Sequence, residues 1–262
     1  MQFRRTKVLA AAMVLCLAAS SQALADRFAD ILSRGVVRVS VFADVPPFGM
    51  QNVNRELEGF DIDMANMVAK ALGVKLELVP VTAANRIPNL LTDKVDINIA
   101  LMSVTPERAK QMMFTAPYVN TALAVYGPKD VKASSAADLT SIKTSVARGT
   151  TEELELTARN PKADLMRTDD NATAVQAYLS GQSKLWAGNS LIATELAKKN
   201  PNVEFDRKFI IRSAPGHMGV KLGEHTLLQW LNTFIFFNTL NGELEKLHRK
   251  WLNAPMDPLP PL

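Results

Sequence analysis

Ser103, Thr105 and Arg108 are spaced two and three residues apart in Ser103-Val104-Thr105-Pro106-Glu107-Arg108, directly after the β-branched and apolar run at 95–101. That run predicts a buried strand, and Thr105 and Pro106 are the residue types of a helix N-cap and first helical position. Where a strand gives way to a helix, free N–H groups and the positive end of the helix dipole favour an anion. Arg108, in the first turn, adds a planar fork of donors that fits a carboxylate. A small carboxylate-bearing ligand is the chemistry this implies. The same residues also fit a plainer arrangement, with Arg108 paired to a surface acid and Ser103 in an ordinary turn. A second stretch, Arg148-Gly149-Thr150-Thr151-Glu152-Glu153, again sets a glycine turn before a helix start. Its backbone N–H groups and the hydroxyls of Thr150 and Thr151 could meet an anion; simple N-capping by Thr150 is the alternative.

Other residues with chemical potential read more plainly. Asp61 and Asp63 could form a catalytic or metal pair, but two acids at a helix start mostly serve the dipole and its N–H groups. Asp170 at Asp169-Asp170-Asn171 is expected to cap the helix that follows. His217, His225 and His248 lack a zinc spacing, and the single cysteine, Cys16, lies in the leading segment, so no metal ligands are assigned. Phe234, Phe236 and Phe237 read as packing residues.

The elements that must position these groups alternate β-rich runs with helical patterns, which predicts an α/β fold with largely parallel sheets. Strand 36–42 ends in the stiff loop Asp44-Val45-Pro46-Pro47-Phe48, on the side where such sheets bind ligands. Residues 59–72 read as a helix closed by Gly73, and 83–91 as a short helix containing Pro88. After the central stretch, 109–113 is expected to complete a helix and 114–118 to turn the chain. Gly127-Pro128-Lys129 and Ser213-Ala214-Pro215-Gly216 are breaker clusters where the chain is expected to cross between lobes. The resulting division is 26–121 with 214–262 as one lobe and 122–213 as the other. Two lobes joined by two crossings could close over a ligand by hinge motion.

The 262 residues are 47% hydrophobic and 21% charged, an ordinary globular composition. Arg4, Arg5 and Lys7, the apolar run at 8–19 and Ala23-Leu24-Ala25 form a secretory signal pattern, expected to be cleaved after Ala25. Its apolar core falls short of the roughly 20 residues a membrane span needs. Leu15 before Cys16 argues against a lipid anchor. Without residues 1–25 the chain keeps 27 basic against 26 acidic residues. The overall pI of 9.2 therefore belongs mostly to the leader and makes no case for nucleic acid.

Several motifs in order resemble the periplasmic solute-binding proteins of polar amino-acid ABC importers: Gly59-Phe60-Asp61-Ile62-Asp63-Met64, Asn85-Arg86-Ile87-Pro88, Ser103 to Arg108, Phe114-Thr115-Ala116-Pro117-Tyr118 and Asn241-Gly242-Glu243-Leu244. The likeness covers essentially all of the chain after the leader. It implies a two-lobed periplasmic-binding-protein type II fold with two hinge crossings. It also implies a periplasmic, monomeric, non-enzymatic protein that takes an amino acid or related carboxylate to a membrane permease, with no cofactor. In that family Arg108 corresponds to the residue gripping the ligand carboxylate, assisted by Ser103, Thr150 and Thr151, and the Leu101 carbonyl accepts from the ligand ammonium. Four positions depart from the pattern. Asn189 replaces the usual aspartate that pairs with the ammonium, Val45 and Ala83 replace aromatic residues that sandwich the side chain, and Ala100 replaces a frequent hydroxyl residue. The resemblance also reaches periplasmic dehydratases on the same fold, for which Glu152 and His217 would be the nearest acid–base candidates, without forming a recognisable dyad.

Overall fold

The computed structural model describes residues 26–260, so the expected signal segment and Cys16 lie outside them. Two five-stranded sheets form the two lobes. The first begins with helix α1 (Arg27–Arg34), capped by Asp26 accepting from the Phe28 amide and closed by Gly35 in the left-handed region. Strand β1 (Val36–Val41) follows. It pairs in parallel with β5 (Lys75–Pro80) and β6 (Ile97–Met102), and helix α2 (Phe60–Leu72) packs on them. Between β1 and α2 the chain makes a small sheet of β2 (Asp44–Val45), β3 (Gly49–Gln51) and β4 (Leu57–Glu58). A 3-10 turn (Ala83–Asn85) and α3 (Arg86–Leu91) lie between β5 and β6.

After β6 the helix α4 (Pro106–Ala109) lasts four residues, and β7 (Met112–Val119) starts almost at once. The sequence expectation of a helix through residue 113 and a turn at 114–118 is corrected here. Met112-Met113-Phe114-Thr115 is a strand because it pairs along β13 (Gly216–Lys221), a partner about a hundred residues away. β8 (Ala122–Gly127) then opens the second lobe, with sheet order β10-β9-β11-β8-β12. There β9 (Thr144–Ala147), β10 (Leu165–Thr168) and β11 (Leu185–Asn189) alternate with α5 (Thr151–Arg159), α6 (Asn171–Leu179) and α7 (Ser190–Lys199). Strand β12 (Asp206–Ser213) leads back to β13 in the first sheet, ordered β5-β1-β6-β13-β7.

Each sheet is mixed rather than largely parallel. β13 runs antiparallel to both β6 and β7, and β8 antiparallel to both β11 and β12. The strands that enter or leave by the crossings are the reason, since they reverse direction between lobes. The sheet changes fall between Val119 and Ala122 and between Ser213 and Gly216, and the two connecting segments are tied by Ala214 N–H donating to Thr121 O at 2.9 Å. Gly127 ends β8 instead of marking a crossing.

Helices α8 (His225–Leu240) and α9 (Glu243–Leu252) cover the first lobe. Phe234 is buried, but Phe236 and Phe237 are 65% and 61% exposed, against their reading as packing residues: a long apolar helix here buries one face only. Neither Asp61 nor Asp63 serves the N–H groups of α2. Asp61 is fully buried and accepts from the Tyr118 hydroxyl at 2.9 Å, while Asp63 accepts from Trp251 Nε1 at 2.7 Å and Lys250 Nζ at 2.6 Å, tying α2 to α9. Among the described residues no helix is long and apolar enough to cross a membrane.

Candidate functional site

The C-terminal end of β6 carries the first half of the site. Leu101 has a positive φ of 45°, uncommon for a side chain of its size, and its N–H donates to the Tyr118 hydroxyl. Ser103 follows, and Thr105 caps α4 by accepting from the Arg108 amide at 3.2 Å. Arg108 is 5% exposed, so it is no surface residue. Its Nη1 donates to Ser103 O at 2.9 Å and to Thr151 Oγ1 at 2.8 Å, and its Nη2 to Gly149 O at 3.1 Å. The guanidinium thus joins its own loop to the start of α5 in the opposite lobe.

A second guanidinium lies beside it. Arg86, the first residue of α3, is 3% exposed and stands over the Phe42 ring at 5.2 Å. Its Nε donates to Ala83 O, its Nη1 to Ala100 O and Leu101 O, and its Nη2 to Gly149 O. The Leu101 carbonyl therefore already accepts one bond, at 3.3 Å. Burial first, and then the Arg108 charge, pull the Arg86 pKa down to about 9. Burial also lowers that of Arg108, opposed by Glu152. No carboxylate among the described residues comes within ion-pair distance of either guanidinium.

The other half is the N-terminus of α5. Thr150 caps it by accepting from the Glu153 amide, while its own hydroxyl donates to Ala147 O at 2.8 Å. Thr151 and Glu152 follow in the first turn, both buried. Glu152 has its pKa raised by burial, against the pull of its own N–H and the two guanidiniums. At the end of β11, Asn189 is 6% exposed and its Oδ1 accepts from the Leu191 amide at 2.9 Å, capping α7.

Val45, Leu101, Ser103, Thr150, Thr151 and Asn189 all line one narrow cavity between the lobes, of about 40 Å³. Six of the seven residues singled out in the sequence share its wall. Arg108 borders a different recess, with Ala83, Ala84 and Gly149, and reaches the cleft cavity through its bonds to Ser103 and Thr151. Arg86, Phe42, Glu152 and Asn171 also line the cleft cavity and were not assigned binding roles in the sequence. Arg86 lay inside a quoted motif, and its buried charge is the signal that could have found it. A second cavity of about 180 Å³ adjoins the first, sharing Val45, Glu152, Asn171, Asn189 and Ile192 and continuing over Val175, Trp186 and Leu196. His217 lines neither: its Nδ1 contacts Thr115 O at 2.8 Å and its ring packs edge-on to Phe114. Glu152 and His217 are thus not brought together as an acid–base pair.

Arg86 and Glu152 both line the cleft, Arg108 bonds its Ser103 and Thr151 wall from behind, and Ser103, Thr150 and Thr151 bring hydroxyl-bearing residues to it from the two lobes. Such an arrangement suits an anionic group held at the lobe interface.

Residues 37–254 match the model of the bacterial extracellular solute-binding proteins, family 3. The chain is 28% identical to the ABC transporter glutamine-binding protein GlnH of Bacillus subtilis, over 89% of this chain and 87% of that one. It is 29% identical to the cyclohexadienyl dehydratase of Pseudomonas aeruginosa, over 77% and 76% of the two chains. Among solved structures, a solute receptor for L-cysteine of Neisseria gonorrhoeae superposes with a TM-score of 0.81 at 33% identity, covering 86% of this chain and 93% of that one.

Proposed function

This chain belongs to the bacterial extracellular solute-binding proteins of family 3, and from that premise we propose that it is the periplasmic binding component of an ABC importer. It holds an amino acid or a related small carboxylate between its lobes and delivers it to a membrane permease, without chemistry on the ligand. The relatives named for glutamine and L-cysteine support the ligand class. The observation that carries the reading is the meeting of Arg86 from one lobe and the α5 N-terminus from the other on a single interlobe cavity, with Arg108 bonded to its Ser103 and Thr151 wall from behind.

Arg108 uses three of a guanidinium's five N–H donors in the bonds described, and a ligand carboxylate in the cleft would have to reach the remaining two past Ser103 and Thr151. A ligand that binds only the closed form shifts the two-lobe equilibrium by its differential affinity. The test is a thermal-shift panel of amino acids and small carboxylates on protein lacking residues 1–25. A ligand at about a hundred times its Kd should stabilise by roughly 2.7 kcal/mol. Arg108→Ala should abolish the shift, because it removes charge-assisted bonds worth about 1.5–3 kcal/mol each. A panel ligand bound equally well by Arg108→Ala would remove the assignment; turnover of a bound ligand would replace it with an enzymatic one.

A further inference from the structure

We propose that Glu152, not the residue at 189, receives the ligand's ammonium group, and that the adjoining cavity takes an uncharged, largely apolar ligand chain. This rests on the reading above that a zwitterionic or carboxylate ligand occupies the cleft. The ligand class it names is the neutral α-amino acids with apolar chains.

Position 189 presents the wrong end of its amide. The Asn189 Oδ1 is spent capping α7, which leaves its NH₂ group, a donor, for the cavity. Asn171 Nδ2, buried and without a partner among the described residues, belongs to a side chain lining both cavities and is a second donor of the same kind. An ammonium has only donors, so neither amide nitrogen can receive it, and the neutral Asn171 oxygen could accept a bond but brings no countercharge. Glu152 is 9% exposed, lines both cavities at their junction, and forms no ion pair with any described residue. It is also within electrostatic reach of Arg86 and Arg108. A carboxylate on the guanidinium side and an ammonium on Glu152 would place an α-amino acid across that junction, with its chain entering the second cavity.

The walls of that cavity select the chain. Val175, Trp186, Ile192 and Leu196 give it an apolar face. The one other carboxylate lining it, Asp44, is committed: its Oδ2 accepts from the Asn171 and Ala172 amides at the N-terminus of α6, at 3.0 and 3.2 Å. A cationic chain end would therefore have to compete with two backbone amides for the Asp44 carboxylate.

The test compares L-leucine, L-methionine and L-phenylalanine with their desamino acids, and with L-arginine and L-glutamate, by calorimetry on the wild type, Glu152→Gln and Arg108→Ala. An apolar amino acid should bind the wild type at least about tenfold tighter than its desamino acid, the size of one charge-assisted bond. It should also outbind L-arginine and L-glutamate. Glu152→Gln, close to isosteric and checked for folding by circular dichroism, should erase the preference over the desamino acid while leaving desamino-acid binding unchanged or tighter. A preference that survives Glu152→Gln overturns this proposal alone, as does tighter wild-type binding of L-arginine or L-glutamate. Equal strengthening of both ligand types in Glu152→Gln would show that the carboxylate only balances the guanidiniums, and also overturns it. Binding indifferent to Arg108→Ala, or no binding of any of these compounds, overturns the underlying site assignment with it.

Discussion

Glu152 illustrates how a binding residue weakens the fold that carries it. Burial raises its pKa in the folded protein above the ordinary value of about 4.3. The folded state therefore prefers the protonated acid. Its contribution to stability is full below the ordinary pKa and is lost as pH rises through the raised folded value. At neutral pH the ligand-free protein bears the cost of a buried charge, and Glu152→Gln should be more stable than wild type in urea or guanidinium unfolding. The difference should shrink toward zero as the pH falls below about 4. A stability gap independent of pH would mean that Glu152 is not charged at cost in the free protein. The same scale shows what the sequence could reveal about the site. Ser103, Thr150, Thr151, Asn189 and Val45 were legible because each sits at a strand or helix end whose local pattern is visible. Arg86 was not, because what places it in the cleft wall is burial against carbonyls at Ala100 and Gly149, 14 and 63 residues away. The commitment of the Asn189 oxygen to a cap was likewise beyond reach, since Asn at such a position fits capping and ligand contact equally.

At the scale of elements, the alternation of strands and helices was readable, and the errors fall where long-range pairing overrides local pattern. Met112 and Met113 follow closely on a good helix start, yet they become strand because β13 returns from the second lobe to pair with them. The mixed sheets have the same origin. One element junction was invisible in sequence: Asp96, just before β6, has a fully buried side chain that meets Arg34 Nη2 at 2.6 Å and Arg38 Nη2 at 2.7 Å and accepts from the Arg38 amide at 2.8 Å. It thereby ties the end of α1 to β1 and β6, at the edge of the sheet opposite the cleft, since β6 enters here and reaches the site at its other end. Removing one member of a buried ion cluster leaves the others uncompensated, so Asp96→Ala should lower stability by about 3–5 kcal/mol. Chemical denaturation measures this, and ligand affinity in the surviving folded fraction should be unchanged. A loss no larger than that of the exposed Glu107→Ala, whose pair with Lys110 is at the surface, would show the cluster to be dispensable.

The whole molecule is arranged so that the lobes touch through a few directed contacts. Arg108 bonds Thr151, both guanidiniums bond Gly149 O, Asp44 accepts from the start of α6, and Arg212 Nη2 donates to Val104 O. The backbones come close at Gly149, where an added Cβ would lie 2.8 Å from Ala84 Cα and 3.0 Å from Ala84 N. Neither atom belongs to a side chain that could swing aside, so Gly149→Ala should act as a wedge between the lobes. Gly149 also has φ +73°, and an alanine there is strained whatever the space around it. Gly181, in the same lobe, separates the two effects: its φ is +75° and an added Cβ would meet nothing within 4 Å. Both substitutions should cost about 1–3 kcal/mol of stability from backbone strain. Only Gly149→Ala should also weaken ligand affinity, by at least about tenfold, because binding energy would be spent against an obstructed closure. Small-angle scattering with saturating ligand should give a larger radius of gyration for Gly149→Ala than for wild type or Gly181→Ala. Matching radii and affinities in the two variants would mean that the ligand does not need the lobes to meet at Gly149.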